Sequence, residues 1–215
     1  MAAFPTAPPS RKIILPNDDI DPIADDTSDL PDLIGRTAAS LRALADELEH
    51  GKLVELIEWV IPMSDIGTDR MEEHCDGIAA RLGKKHLAIY AIGFDEGVPL
   101  ERVYEIVDGH KARNKTLPPQ ERRAFARVNK RKGCLGSRCL YVGKSEKAAE
   151  RLRQHLIEAD RATFAVHLKY WPNDIPGNLI VKVIGVAGVQ SLLLPFIEDQ
   201  MARETPPILG KRGSV

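Results

Sequence analysis

With 215 residues and 43% hydrophobic content, the chain can bury one good core and a small second one, so one domain with an appendage is expected. No stretch approaches the ~20 apolar residues of a membrane span, and Met1 to Pro16 lacks the apolar run of a signal peptide. Three irregularly spaced cysteines do not make a disulfide framework, so a soluble protein of the reducing cytoplasm is expected. The net charge of −1 hides a division: residues 1–100 carry 9 basic and 19 acidic side chains, residues 101–215 carry 21 and 12. The second half is the one suited to a polyanion.

In chain order, residues 1–31 are rich in Pro and Asp and read as an extended or disordered arm, with Ile13, Ile14 and Leu15 as its only anchors. Leu33, Ala38, Leu41, Leu44, Ala45 and Leu48 then form a helical stripe closed by Gly51. A second apolar run, Leu53 to Ile61, ends at Pro62, and Ser64 is placed to cap a third helix through Met71, Cys75, Ile78 and Leu82 to Gly83. Residues 32–83 thus read as an acidic helical region, suited to homodimerisation, to a protein partner, or to shielding a cleft. A change of character comes at His86. The runs His86–Gly93 and Arg138–Gly143 read as strands, with a helix around Leu100–Gly109 and a basic segment between them. Ser145 is placed to cap a helix through Ile157. Thr163–Leu168 and Asn178–Val186 read as strands around a Trp171-Pro172-Asn173-Asp174 turn, and a last helix covers roughly Gln190–Glu204. The result is an α+β chain.

Strand alternation puts Leu87, Ile89 and Ala91 on one face and Tyr90 on the other; in the second strand Leu140 and Val142 form the core pair and Tyr141 points away. If the strands pair, both tyrosines share a face. Arg151 and His155, four residues apart, stand one above the other on the following helix, while Lys144 lies near its N-terminus, a ready anion site. Glu198 falls inside the apolar stripe Leu194, Ile197, Met201 and needs a cation. An arginine such as Arg151 would serve, and so would a hard divalent ion such as Mg2+.

Together these residues resemble the GIY-YIG nuclease superfamily. Ala88-Ile89-Tyr90 matches the first motif and Tyr141-Val142-Gly143 the second, with Arg151 ten residues after Tyr141 and His155 four further on. Glu198 and the segment Pro206-Pro207-Ile208-Leu209-Gly210-Lys211-Arg212-Gly213 complete the match, which covers roughly residues 84–213. It departs from the family in three places. Ala88 stands where the family usually has Gly, Tyr90 and Tyr141 are 51 positions apart instead of joined by a short hairpin, and the closing segment follows a minority Pro-x-x-Gly pattern.

The resemblance implies a small antiparallel sheet flanked by helices, a nuclease domain over 84–215 with an insertion at about 97–137, and a single Mg2+ or Mn2+ on Glu198. It implies hydrolysis of DNA phosphodiesters, with Tyr90, Tyr141, Lys144, Arg151, His155 and Glu198 as catalytic residues and either tyrosine as general base or relay. His155 places it nearer the homing and restriction branches. In that context the basic segment, with Arg122, Arg123, Arg127, Lys130, Arg131 and Lys132, is expected to track DNA phosphates. Two readings stand beside this one: a catalytically inactive module of the same fold that binds nucleic acid or protein, and an unrelated α+β protein matching by chance. Cys134 and Cys139, with His110 and Cys75 and His74, could ligate zinc, but buried thiols are preferred, because Cys-x4-Cys with no second cysteine pair is at the edge of zinc spacing.

Overall fold

The structure, a computed structural model, describes residues 30–83, 87–158 and 160–210. The chain divides into two units, Met1–Arg42 and Ala43–Val215, and all that follows concerns the second unless stated. Most of the N-terminal arm, His86 and Lys211–Gly213 lie outside the described residues, while Leu30 and Pro31 already begin α1 (Leu30–His50), which ends just before Gly51.

Four strands make one antiparallel sheet: β1 (Lys52–Pro62), β2 (Ala88–Phe94), β3 (Cys139–Ser145) and β4 (Asn178–Ala187), in the order β1-β4-β2-β3. The helices are α2 (Arg70–Leu82), α3 (Leu100–Thr116), α4 (Ala148–Leu156) and α5 (Leu194–Glu204). The expected α+β architecture, a small antiparallel sheet with flanking helices, is the one observed. Among the described residues no helix is long and apolar enough to cross a membrane.

One face of the sheet is covered along all four strands, the other only over β2 and β3, so that Glu58 and Val60 of β1 and Lys182 of β4 stay exposed. On the first face Ile57, Tyr90, Ile92, Val181 and Val183 pack with Met71, Cys75 and Ile78 of α2, Val103 and Val107 of α3, and Leu152 and Leu156 of α4. On the second, a smaller cluster joins Ile89, Ala91, Cys139 and Val142 to Leu194 and Ala202 of α5, with Ile197 and Met201 against it.

Several sequence expectations are corrected. Leu53–Ile61 is not a helix but the heart of β1, paired along its length with β4, so residues 52–83 belong to the sheet domain and not to a separate helical region. A continuous apolar run of this length carries no period that separates strand from helix. The cap of α2 is Asp69, because a single 3-10 turn at Met63–Asp65 uses up Ser64, although Gly83 closes the helix with φ of 62° as expected. Helix α3 runs on past Gly109 to Thr116. The helix after β3 is capped at Lys147, whose N–H is held by Ser145 Oγ at 2.9 Å. Thr163–Leu168 is no strand; only Ala165 bridges, to Phe125.

One correction bears on the site. Ile92 pairs with Tyr141 and Gly93 with Cys139, leaving Leu140 as the extra residue of a β-bulge. Leu140 therefore joins Tyr141 on the first face while Val142 faces α5, so Leu140 and Val142 are not a core pair. The long insertion does not prevent β2 and β3 from pairing. Its two ends are held together by the Arg138 guanidinium, which donates to the carbonyls of Asp95, Glu96 and Val98.

Candidate active site

Tyr90 lies opposite Gly143, and Tyr141 opposite Ile92, so the two phenols are diagonal neighbours on one face of the sheet. Their rings stack at 6.2 Å with planes 25° apart. Gly143 is what lets them approach: a Cβ there would lie 2.5 Å from Tyr90 Oη and 2.8 Å from Tyr141 Cε1. From α4, His155 points into the same place, 4.5 Å from the Tyr141 ring and 5.7 Å from that of Tyr90.

The protonation of His155 follows from its partners. The backbone N–H of Val166 donates to His155 Nδ1 at 3.2 Å, so that nitrogen is an acceptor. Burial, helped by the Arg151 charge, pulls the imidazole down to about 3, so it is neutral and its proton sits on Nε2. That N–H points at Tyr90 Oη, 3.0 Å away, and donates to it. His155 thus steadies the Tyr90 oxygen; it does not take a proton from it. Burial, with Tyr141 adding, pushes the Tyr90 phenol far above its ordinary value, while the Arg151 guanidinium acts in the opposite sense.

Arg151, one turn before His155, serves both tyrosines. Its guanidinium donates to Gln154 Oε1 at 2.6 Å and to the Phe164 carbonyl, and its charge favours ionisation of both phenols. Burial still raises the pKa of Tyr141, with the Glu198 carboxylate adding to the rise. Glu198 comes from the sheet's other side, on α5, and meets Lys144 of β3 at 3.2 Å between Oε2 and Nζ. The cation expected beside Glu198 is therefore supplied by Lys144.

Tyr141, Lys144 and Glu198 border one cleft of about 570 Å3, with Arg127, Phe164 and Asp199 also in its lining, whereas Arg151 and the buried His155 are not among its lining residues. Tyr141 is its phenol; Tyr90, 1% exposed, lies behind. The closing segment completes the wall, since Leu209 bridges to both Tyr141 and Val128. At Gly210, with φ of 107°, an added Cβ would stand 3.2 Å from the Tyr141 ring.

Of the basic-segment residues Arg122, Arg123, Arg127, Lys130, Arg131 and Lys132, Arg127 alone lines this cleft. Arg122 donates to the carbonyls of Lys115 and Leu117, Arg123 lies over the Tyr170 ring, and Arg131 pairs with Asp108 and covers Tyr104. Lys130 and Lys132 are exposed. Sequence reasoning missed Gln154, Asp199, the Phe164 carbonyl and the Val166 N–H. Gln154 carried a signal, at i+3 from Arg151 on a helix, whereas backbone groups carry none. The three cysteines are free and buried, and among the described residues no three His, Cys, Asp or Glu side chains cluster as a metal cage.

Comparisons with known proteins find no match for this chain among protein-family models, curated proteins or solved structures. The chemistry of the site therefore stands on its own geometry.

Proposed function

We propose that this chain is a divalent-metal-dependent endonuclease of the GIY-YIG type that hydrolyses DNA phosphodiester bonds. The observation that carries the reading is that Tyr141, Lys144 and Glu198 line one cleft while Tyr90, His155 and Arg151, from β2 and α4, gather against Tyr141 behind it. A structural role alone gives no reason for two phenols, a guanidinium, an imidazole and an ion pair to converge there.

The residues fit a hard divalent ion. Lys144 marks the place on the Glu198 carboxylate where a cation already rests, Asp199 borders the same cleft, and Mg2+ is commonly held by one or two carboxylates with water and substrate oxygens completing its shell. When bound, such an ion supplies Lewis acidity at the phosphate and relief of charge on the leaving 3′-oxygen. The protein supplies the rest. Arg151, fixed by Gln154 and Phe164, presents a planar fork to a phosphate oxygen and stabilises charge that builds in the transition state. Tyr141 faces the substrate and is the general base, accepting the proton of the attacking water; Arg151 beside it favours the phenolate this requires, against burial and the Glu198 charge. Tyr90, held by the His155 N–H, positions Tyr141 from behind. Arg127 at the rim meets backbone phosphate.

The test is incubation of purified protein with supercoiled plasmid and Mg2+ or Mn2+, beside Glu198→Ala. Wild-type protein converts plasmid to nicked or linear form and the variant leaves it supercoiled. Cutting by neither would favour an inactive binding module of the same fold.

A further inference from the structure

A second cavity lies behind the cleft wall. The paired segments around Phe125 and Ala165 form that wall, with Ala126 N–H on the Ala165 carbonyl at 3.0 Å and Ala165 N–H on the Ala124 carbonyl at 3.3 Å. On one side Arg127 and Phe164 border the catalytic cleft. On the other, a cavity of about 440 Å3 and an adjoining one of about 140 Å3 share His110, Arg113 and Tyr170.

The chemistry of this cavity is unlike that of a core. Aromatic rings run through its wall in near-parallel array: His110 to Phe125 at 6.2 Å and 7°, His110 to Trp171 at 6.4 Å and 22°. Arg123 lies 4.4 Å over the Tyr170 ring, and Arg113 borders both chambers. Trp171 Nε1 and His167 Nδ1, both buried, have no hydrogen-bond partner among the described residues. His167 is also the one described non-glycine residue in the left-handed region, with φ of 56°, a conformation that costs energy and recurs at binding sites. Burial lowers the pKa of His110 and of His167, so at neutral pH each ring keeps one donor and one acceptor nitrogen.

We propose that this cavity binds a nucleotide, its base stacked on the Tyr170 and His110 rings and its phosphate on Arg113 and Arg123. Flat aromatic rings, arginine forks and unpaired nitrogens are what a base with an attached phosphate needs, and base-to-ring stacking accepts any base. The source is a free nucleotide or an unpaired nucleotide of a nucleic-acid strand. The second rests on the nuclease reading: a strand with its scissile phosphate in the cleft has only the Phe125–Ala165 wall between it and this pocket, which gives a preference for substrates with an unpaired flanking base.

The chain has two tryptophans, so Trp59→Phe leaves Trp171 as the sole tryptophan, whose indole emission is followed. In EDTA, this protein is titrated with dTMP, with dAMP and with a single-stranded oligothymidylate. Quenching of Trp171 is expected, weakened about tenfold by Tyr170→Ala and by Arg113→Ala, both exposed positions that leave the core intact. An oligonucleotide bound about tenfold or more above dTMP supports a strand as the source, and equal affinities support a free nucleotide. No quenching by any of the three, or quenching unchanged in both variants, overturns the proposal. Plasmid nicking without quenching removes this pocket and leaves the nuclease reading; quenching without nicking does the reverse.

Discussion

Lys144 at the end of β3 and Glu198 on α5 bring ammonium and carboxylate to 3.2 Å at the cleft that both residues line. The pair is 34% and 24% exposed, so water screens it and it contributes little to stability. On the proposed function its consequence is competitive: the ammonium that pairs with Glu198 is the charge a metal bound there would have to push aside. Lys144→Gln should therefore bind Mn2+ several-fold more tightly while cutting more slowly. Titration followed by electron paramagnetic resonance measures the first effect, and metal affinity equal to or weaker than wild type would count against competition at this carboxylate.

Tyr141, the phenol of the cleft, has a pKa raised by burial and only partly offset by Arg151. A base that is mostly protonated at neutral pH gains its active form as pH rises, so the single-turnover rate should climb above pH 7 with a slope approaching about one log unit per pH unit. Tyr141→Phe should lose at least ~10²-fold in rate together with that slope. Tyr90→Phe, altered behind the cleft, should keep the slope at a lower rate. A slope surviving in Tyr141→Phe would transfer the role of base elsewhere.

His155 gives a stability that depends on pH. In the unfolded chain its ring takes up a proton near the ordinary 6.5, and in the folded chain only near 3. The contribution of the neutral ring is whole above 6.5 and is lost as pH falls toward 3, by at most about 1.4 kcal/mol per pH unit. Urea unfolding between pH 7 and pH 4 should show a shallower fall for His155→Asn than for wild type, although the variant is the less stable of the two at pH 7. Parallel curves would mean that the ring takes up its proton as readily in the folded protein as in the unfolded chain.

How much of this was legible in sequence depended on whether the signal was local. The spacing of Tyr141, Arg151 and His155 and the misplaced charge of Glu198 follow from strand alternation and helical period; Tyr141 and Glu198 line the cleft, and His155 and Arg151 stand against Tyr141. Leu53–Ile61 misled because a short apolar run fits strand and helix alike, and its pairing with β4 lies more than a hundred residues away in the chain. The bulge at Leu140 was equally silent, since it is set by how β3 meets β2. The basic segment read as a surface for DNA, but Arg122, Arg123 and Arg131 are engaged by carbonyls, an aromatic ring and Asp108, contacts made by side chains that local composition cannot foresee. The tautomer of His155 depends on the Val166 backbone, which has no residue code at all.

The central claim is that Arg151 and Glu198, from α4 and α5, act on one phosphate. A double-mutant cycle in single-turnover plasmid nicking with Mg2+ measures it most directly. Arg151→Ala and Glu198→Ala should each remain folded and lose at least ~10²-fold in rate, and the double variant should lose little more than the worse single one, because residues that act as a unit are not additive. Losses that multiply, or wild-type-like cutting by Glu198→Ala, would contradict a shared site.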